Sequence, residues 1–155
     1  MKTNTFRVVA LETETAGAAR RRAQAGASDH AIVIADSPDG YPCRHCLCWG
    51  KSGERMILFP FASIAPGRPY SESGPIFVHA EACERYAATH EFPAAFRGSR
   101  VLRAYDSRDN MINAHVLNGE EPEAVIKKLL QNPETAFLQV RSVTRGCYTM
   151  KIERA

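Results

Sequence analysis

Nowhere in this 155-residue sequence is there an apolar run approaching the roughly 18 to 20 residues that a membrane-spanning helix requires. No leader is expected either: residues 1–22 alternate polar and small side chains, with no apolar core of signal-peptide length. There are no internal repeats, no low-complexity segments and no linker, so residues 1–155 read as a single domain. Charge of one sign is scarce too. Twenty Lys+Arg against 17 Asp+Glu leave a formal charge of +3, and the one basic run, Arg20-Arg21-Arg22, is short enough to be the solvated face of a helix. So dispersed a charge argues against a nucleic-acid partner, and the lack of a spanning segment against a membrane one. Walker loop, nucleophile elbow and oxyanion signature are all absent, and no reaction class can be read from a motif.

What is present is ordinary in bulk and unusual in one place. At 45% hydrophobic and 24% charged the composition is globular, and a chain of this length buries about two-thirds of its unfolded surface without needing a metal or disulfide. Its five cysteines are an odd number, three of them crowded into Cys43-Arg-His-Cys-Leu-Cys48. Without a leader, that pattern predicts reduced thiols and a cytoplasmic location.

Patterning predicts the elements. Phe6 to Leu11 reads as a strand, Thr13 to Ala25 as an Ala- and Arg-rich helix closed by Gly26, and Ala31 to Ala35 as a fully apolar central strand. The cysteine segment, running from Tyr41 to Trp49 into Gly50-Lys-Ser-Gly53, reads as the first arm of a hairpin whose second arm is Arg55 to Phe61. Residues 62–74 read as a long irregular loop, of the kind that lines sites. Pro75 to Val78 is a strand ending on His79, and Ala80 to His90 a helix. Val101 to Asp106 with Met111 to Leu117, and Ala136 to Val143 with Cys147 to Glu153, form hairpins, the last with Tyr148, Met150 and Ile152 facing the core. Glu120 to Gln131 is the clearest helix: acidic start, Pro122 in the first turn, an apolar stripe of Val125, Ile126, Leu129 and Leu130, and Asn132-Pro133 as the stop. The expected class is α+β: a mostly antiparallel sheet built from hairpins, with about three helices packed to one side.

Tyr41-Pro-Cys-Arg-His-Cys-Leu47, Tyr70-Ser-Glu-Ser-Gly-Pro-Ile-Phe-Val-His79, Arg103-Ala-Tyr-Asp106 and Arg145-Gly-Cys147 follow one another in an order that resembles the bacterial family catalogued as domain of unknown function 1203. The resemblance covers nearly the whole chain and implies no activity, substrate or metal. Cys48-Trp49 departs from the pattern.

The residues themselves support several chemistries. Preferred is a site for a small anionic molecule near Cys43, Arg44, His79 and the 62–74 loop, with Arg44, Arg103 and Arg141 as the cations that would hold it by bidentate hydrogen bonds. An enzyme built on the same place would use Cys43 as nucleophile and His79 or His45 as base. The alternative is a zinc protein with ligands Cys43, Cys46, His79 and Cys83, all of types that zinc accepts. Two objections weigh against zinc. The two ligand pairs are separated by far more than the usual 15 to 20 or so residues, and in an extended strand Cys43 and Cys46 would point to opposite faces. A redox pair Cys43/Cys46 is disfavoured because Gly50 and Gly53 follow it where a helix N-terminus is needed. For each of Cys43, Cys46, Cys48, Cys83 and Cys147 the plainest fate is that of a small buried hydrophobe, and on the hairpin reading Cys43 alone keeps a functional role. An exposed edge strand would suit a homodimer.

Overall fold

The computed structural model describes residues 5–155, and within them the period-two segments form eight strands in two antiparallel sheets. β1 (Phe6–Val9), α1 (Thr13–Gln24) and β2 (Ala31–Ile34) lead to the long pair β3 (Arg55–Ile64) and β4 (Glu72–His79). Then come β5 (Arg100–Tyr105), β6 (Met111–Val116), α2 (Pro122–Leu130), β7 (Phe137–Ser142) and β8 (Tyr148–Arg154). The larger sheet has the order β1-β8-β7-β5-β6 and the smaller the order β2-β3-β4. The α+β class with antiparallel strands is therefore as expected, but the strands divide into two sheets. No helix among the described residues is long and apolar enough to cross a membrane.

Each sheet has its own core. α2 presents Val125, Ile126, Leu129 and Leu130 to Leu102, Leu138, Val140, Met150 and Ile152 of the larger sheet. α1 is nearly all alanine on its inner face, and Ala16, Ala19 and Ala23 let it lie close against Met56, Phe59 and Ile76 of the smaller one. Ile126 has no exposed surface, so Ile126→Ala removes a branched side chain from a closed environment. Urea denaturation is expected to report a loss of about 3 kcal/mol; a loss under about 1 kcal/mol would mean that α2 is not part of the cooperative core.

Four local expectations are corrected. Ala80 to His90 is not a helix, so two α-helices are present among the described residues where about three were expected. Its amides bond outward: Tyr86 N to His45 O at 2.9 Å, while Thr89 O accepts from Val8 N at 2.6 Å. Tertiary partners override the helical propensity of Ala, Glu and Arg here. β2 is an edge strand and not a central one; its one neighbour is β3, which leaves Ile32 and Ile34 exposed. The irregular stretch expected over 62–74 shrinks to 65–71, because β3 runs on to Ile64 and β4 begins at Glu72. Finally, β3 pairs with β2 and β4, not with the cysteine segment.

Candidate metal centre

Residues 43–47 fold as a tight turn. Leu47 N donates to Cys43 O at 3.0 Å, Cys43 N donates to Cys48 O at 2.9 Å, and Leu47 takes a left-handed φ of 56°, which closes the turn. A strand would have separated Cys43 from Cys46; the turn brings both thiols to one side, so the hairpin-arm expectation fails at this point. The knuckle is pinned at both ends. Upstream, Cys43 bridges Phe77 of β4 in parallel, and Arg44 N donates to Phe77 O at 3.0 Å. Downstream, Trp49 Nε1 donates to Ala95 O at 2.9 Å and meets Phe96 edge-on at 5.2 Å, so Cys48-Trp49 anchors the turn to the larger core. Gly50 N then donates to Tyr41 O at 2.7 Å; a Cβ there would sit 2.7 Å from Met56 Sδ, and only glycine allows that approach.

The bridge to Phe77 carries the end of β4, with His79, up to the knuckle, and the irregular 80–90 segment folds Cys83 back over it. As a result one ligand atom from each of Cys43, Cys46, His79 and Cys83 lies within 4.8 Å of all the others. Cys43 Sγ and Cys83 Sγ are 3.9 Å apart, and Cys46 Sγ is 3.5 Å from His79 Nδ1. Tetrahedral zinc, with bonds of about 2.3 Å to sulfur and 2.0 Å to nitrogen, requires edges of roughly 3.8 and 3.5 Å. The Cys43–Cys83 and Cys46–His79 edges match these values, and the other edges of the cluster lie within 4.8 Å.

A second layer surrounds these four. His79 Nε2 is 3.6 Å from Glu54 Oε2, the carboxylate side of a carboxylate–histidine–metal arrangement. Arg20 donates from Nε to His79 O at 2.9 Å and from Nη2 to Cys83 Sγ at 3.5 Å. His45 Nδ1 lies 3.1 Å from Cys83 Sγ, and its Nε2 is 2.9 Å from Thr13 Oγ1. His79 N donates to Cys43 Sγ at 3.4 Å. Hydrogen bonds couple the four groups closely. Hydrogen bonds from Cys46 and Cys83 hold the Cys43 thiol far below the ordinary thiol range, against the opposing effect of burial. The Cys46 thiol is pushed up, chiefly by its bond to Cys43. His79 is pushed up to about 10 by the Cys43 and Cys83 sulfurs. His45, by contrast, is pushed down by burial.

The other predicted site residues lie apart or are already engaged. Arg44 is buried, and its guanidinium donates to Tyr148 O at 2.8 Å and Pro42 O at 2.7 Å. Burial lowers it to about 10. Arg141 is fully buried in a network with Glu72 at 2.7 Å, Gln139 at 2.6 Å and Gly146 O at 2.9 Å, and Arg103 lies 3.5 Å from the same Glu72. Each of the three arginines has protein partners. Cys43 has no exposed surface from which to attack a substrate. Cys43 is fully buried in the smaller core and half-buried Cys46 and Cys83 pack against it; Cys48 is exposed and Cys147 half-buried, both outside the cluster, so the reading as core is corrected for these two. Arg20 and Glu54 were not anticipated. The signal for Arg20 was there: it falls four residues after Ala16 and beside Ala19, on the edge of the face that α1 buries.

An α+β domain of two antiparallel sheets with a Cys3His cluster that could hold a metal ion is the class that fold and site define. The chain belongs to the family described as "Protein of unknown function (DUF1203)", whose model matches residues 40–154. The matched stretch contains all four cluster residues, whereas Arg20 precedes it. No curated protein and no solved structure matches the chain.

Proposed function

We propose that this is a zinc protein in which Cys43, Cys46, His79 and Cys83 complete a closed tetrahedral site, and that the metal's role is structural. The observation that carries the reading is the convergence of three thiols and one imidazole within 4.8 Å. Four protein ligands leave no position for water or substrate, which is the mark of structural rather than hydrolytic zinc. The donor set is soft and suits zinc in preference to magnesium or calcium. Three thiolates around one divalent ion leave a net negative charge, and Arg20, bonded to Cys83 Sγ, stands where it balances it. Its hydrogen bond, with that of His45, also draws electron density from the sulfur and makes it a poorer nucleophile. Cys83 sits on a segment without helix or strand, so a metal bond there holds down backbone that nothing regular supports.

The test is elemental analysis of the full chain expressed with zinc in the medium. About one zinc per chain is expected, together with tetrahedral d–d bands and sulfur-to-metal charge transfer after substitution with cobalt(II). Zinc at well under one equivalent, with no such bands, overturns the reading.

A further inference from the structure

Between α1 and β3, away from the cysteine cluster, lies a cavity of about 320 Å³. Its wall is apolar where Ala18 leaves room against Phe59 and Phe61, and its rim carries Glu14, Arg22 and His30. Packing does not account for His30. Its side chain is only 3% exposed and stacks on Phe59, ring centroids 5.7 Å apart and 20° from parallel. Nδ1 is 2.7 Å from Asp29 Oδ1, but Nε2 has no partner among the described residues. Nor is Nε2 sealed off, since the one fully buried unpaired side-chain nitrogen or oxygen among those residues is Arg85 Nε. A residue lining the cavity thus keeps an unpaired polar atom with some exposed surface on an otherwise buried side chain.

The charges around it say what it can take. Asp29 is engaged by His30, and Glu14 accepts from Arg21 Nη2 at 2.9 Å. Arg22 makes no side-chain hydrogen bond or ion pair among the described residues, which leaves a cation at the rim. Because the Asp29 carboxylate can only accept, it fixes the proton of a neutral His30 on Nδ1 and makes Nε2 an acceptor. We propose that this cavity binds a small aromatic acid bearing a hydroxyl group. The ring would lie against Phe59 and Phe61, the hydroxyl would donate to His30 Nε2, and the carboxylate would take Arg22. The volume is at the lower end of the ~300 to 1,000 Å³ of ligand pockets, enough for one ring and its substituents.

The experiment is a nitrogen-15 NMR titration of the full chain with 4-hydroxybenzoate and 3-hydroxybenzoate, and with 4-hydroxybenzyl alcohol as the analogue lacking the acid. Saturable shifts below about 10 mM, confined to Ala18, Ala19, Phe59 and Phe61, are expected from at least one acid, and binding of the alcohol weaker by about tenfold. Arg22→Ala, on an exposed side chain that the fold does not need, should weaken the acid by a similar factor. His30→Phe keeps the stack and should erase the preference for the hydroxy acid over benzoate. Shifts that neither saturate nor respond to Arg22→Ala overturn the proposal.

Discussion

Cys46→Ser is expected to lower the zinc content to well under one equivalent and to destabilise the fold by about 4 kcal/mol, a fall in Tm of roughly 10 °C for a domain of this size. Cys46 is the informative ligand to change because it is only half-buried. Serine in its place leaves little cavity, so a purely packing role would cost about 1 kcal/mol or less. Cys43→Ser would confound the two effects, since Cys43 is packed into the smaller core. Cys48→Ser supplies the control: two residues away, exposed and outside the cluster, it should leave zinc content and Tm unchanged. Equal behaviour of the two variants would refute a metal site at the knuckle.

Removing the metal should have an effect of similar size without altering the sequence. A ligand bound a thousandfold above its dissociation constant adds about 4 kcal/mol to stability, so a strong zinc chelator should lower Tm by roughly 10 °C and added zinc should restore it. The larger core contains none of the four cluster residues, whereas Cys43, Cys46 and Cys83 all belong to or pack against the smaller one, so the five-stranded sheet should persist in the metal-free protein and keep most of the circular-dichroism signal. The loss should be local. Amide exchange should accelerate across residues 43–50 and 80–90, which have little regular structure of their own, and stay slow in β7 and β8. A Tm insensitive to both chelator and zinc would rule out a stabilising metal.

Elements whose cause is local were legible in the sequence. α2 carries its own start, stripe and stop, and the β5–β6 and β7–β8 hairpins carry their turns, so each lies within a residue or two of its expected bounds. What could not be read is whatever a distant partner decides. Ala80 to His90 looks helical until His45 O and Val8 N take its backbone groups. β2 looks central because it is apolar throughout, yet nothing among the described residues pairs with its second edge. The thiol cluster stood between the two cases. Its four residues were identifiable as a set from their types, while the long stretch between the two pairs argued against them. Whether they meet depended on one backbone choice, strand or turn, and Phe77, more than thirty positions away, makes that choice through its bond to Arg44.

Arg44 has a consequence beyond its own burial. Its amide is fixed to Phe77 of the smaller sheet, its carbonyl accepts from Leu11 N at 2.9 Å just before α1, and its guanidinium is fixed to Tyr148 of the larger sheet. One residue thus rivets the two sheets and the approach to the first helix, and the neighbouring Cys43 and His45 inherit its position. Any slip of β4 along β8 would move a cysteine off the others, so the alignment of the two halves and the geometry of the thiol cluster are the same mechanical coordinate.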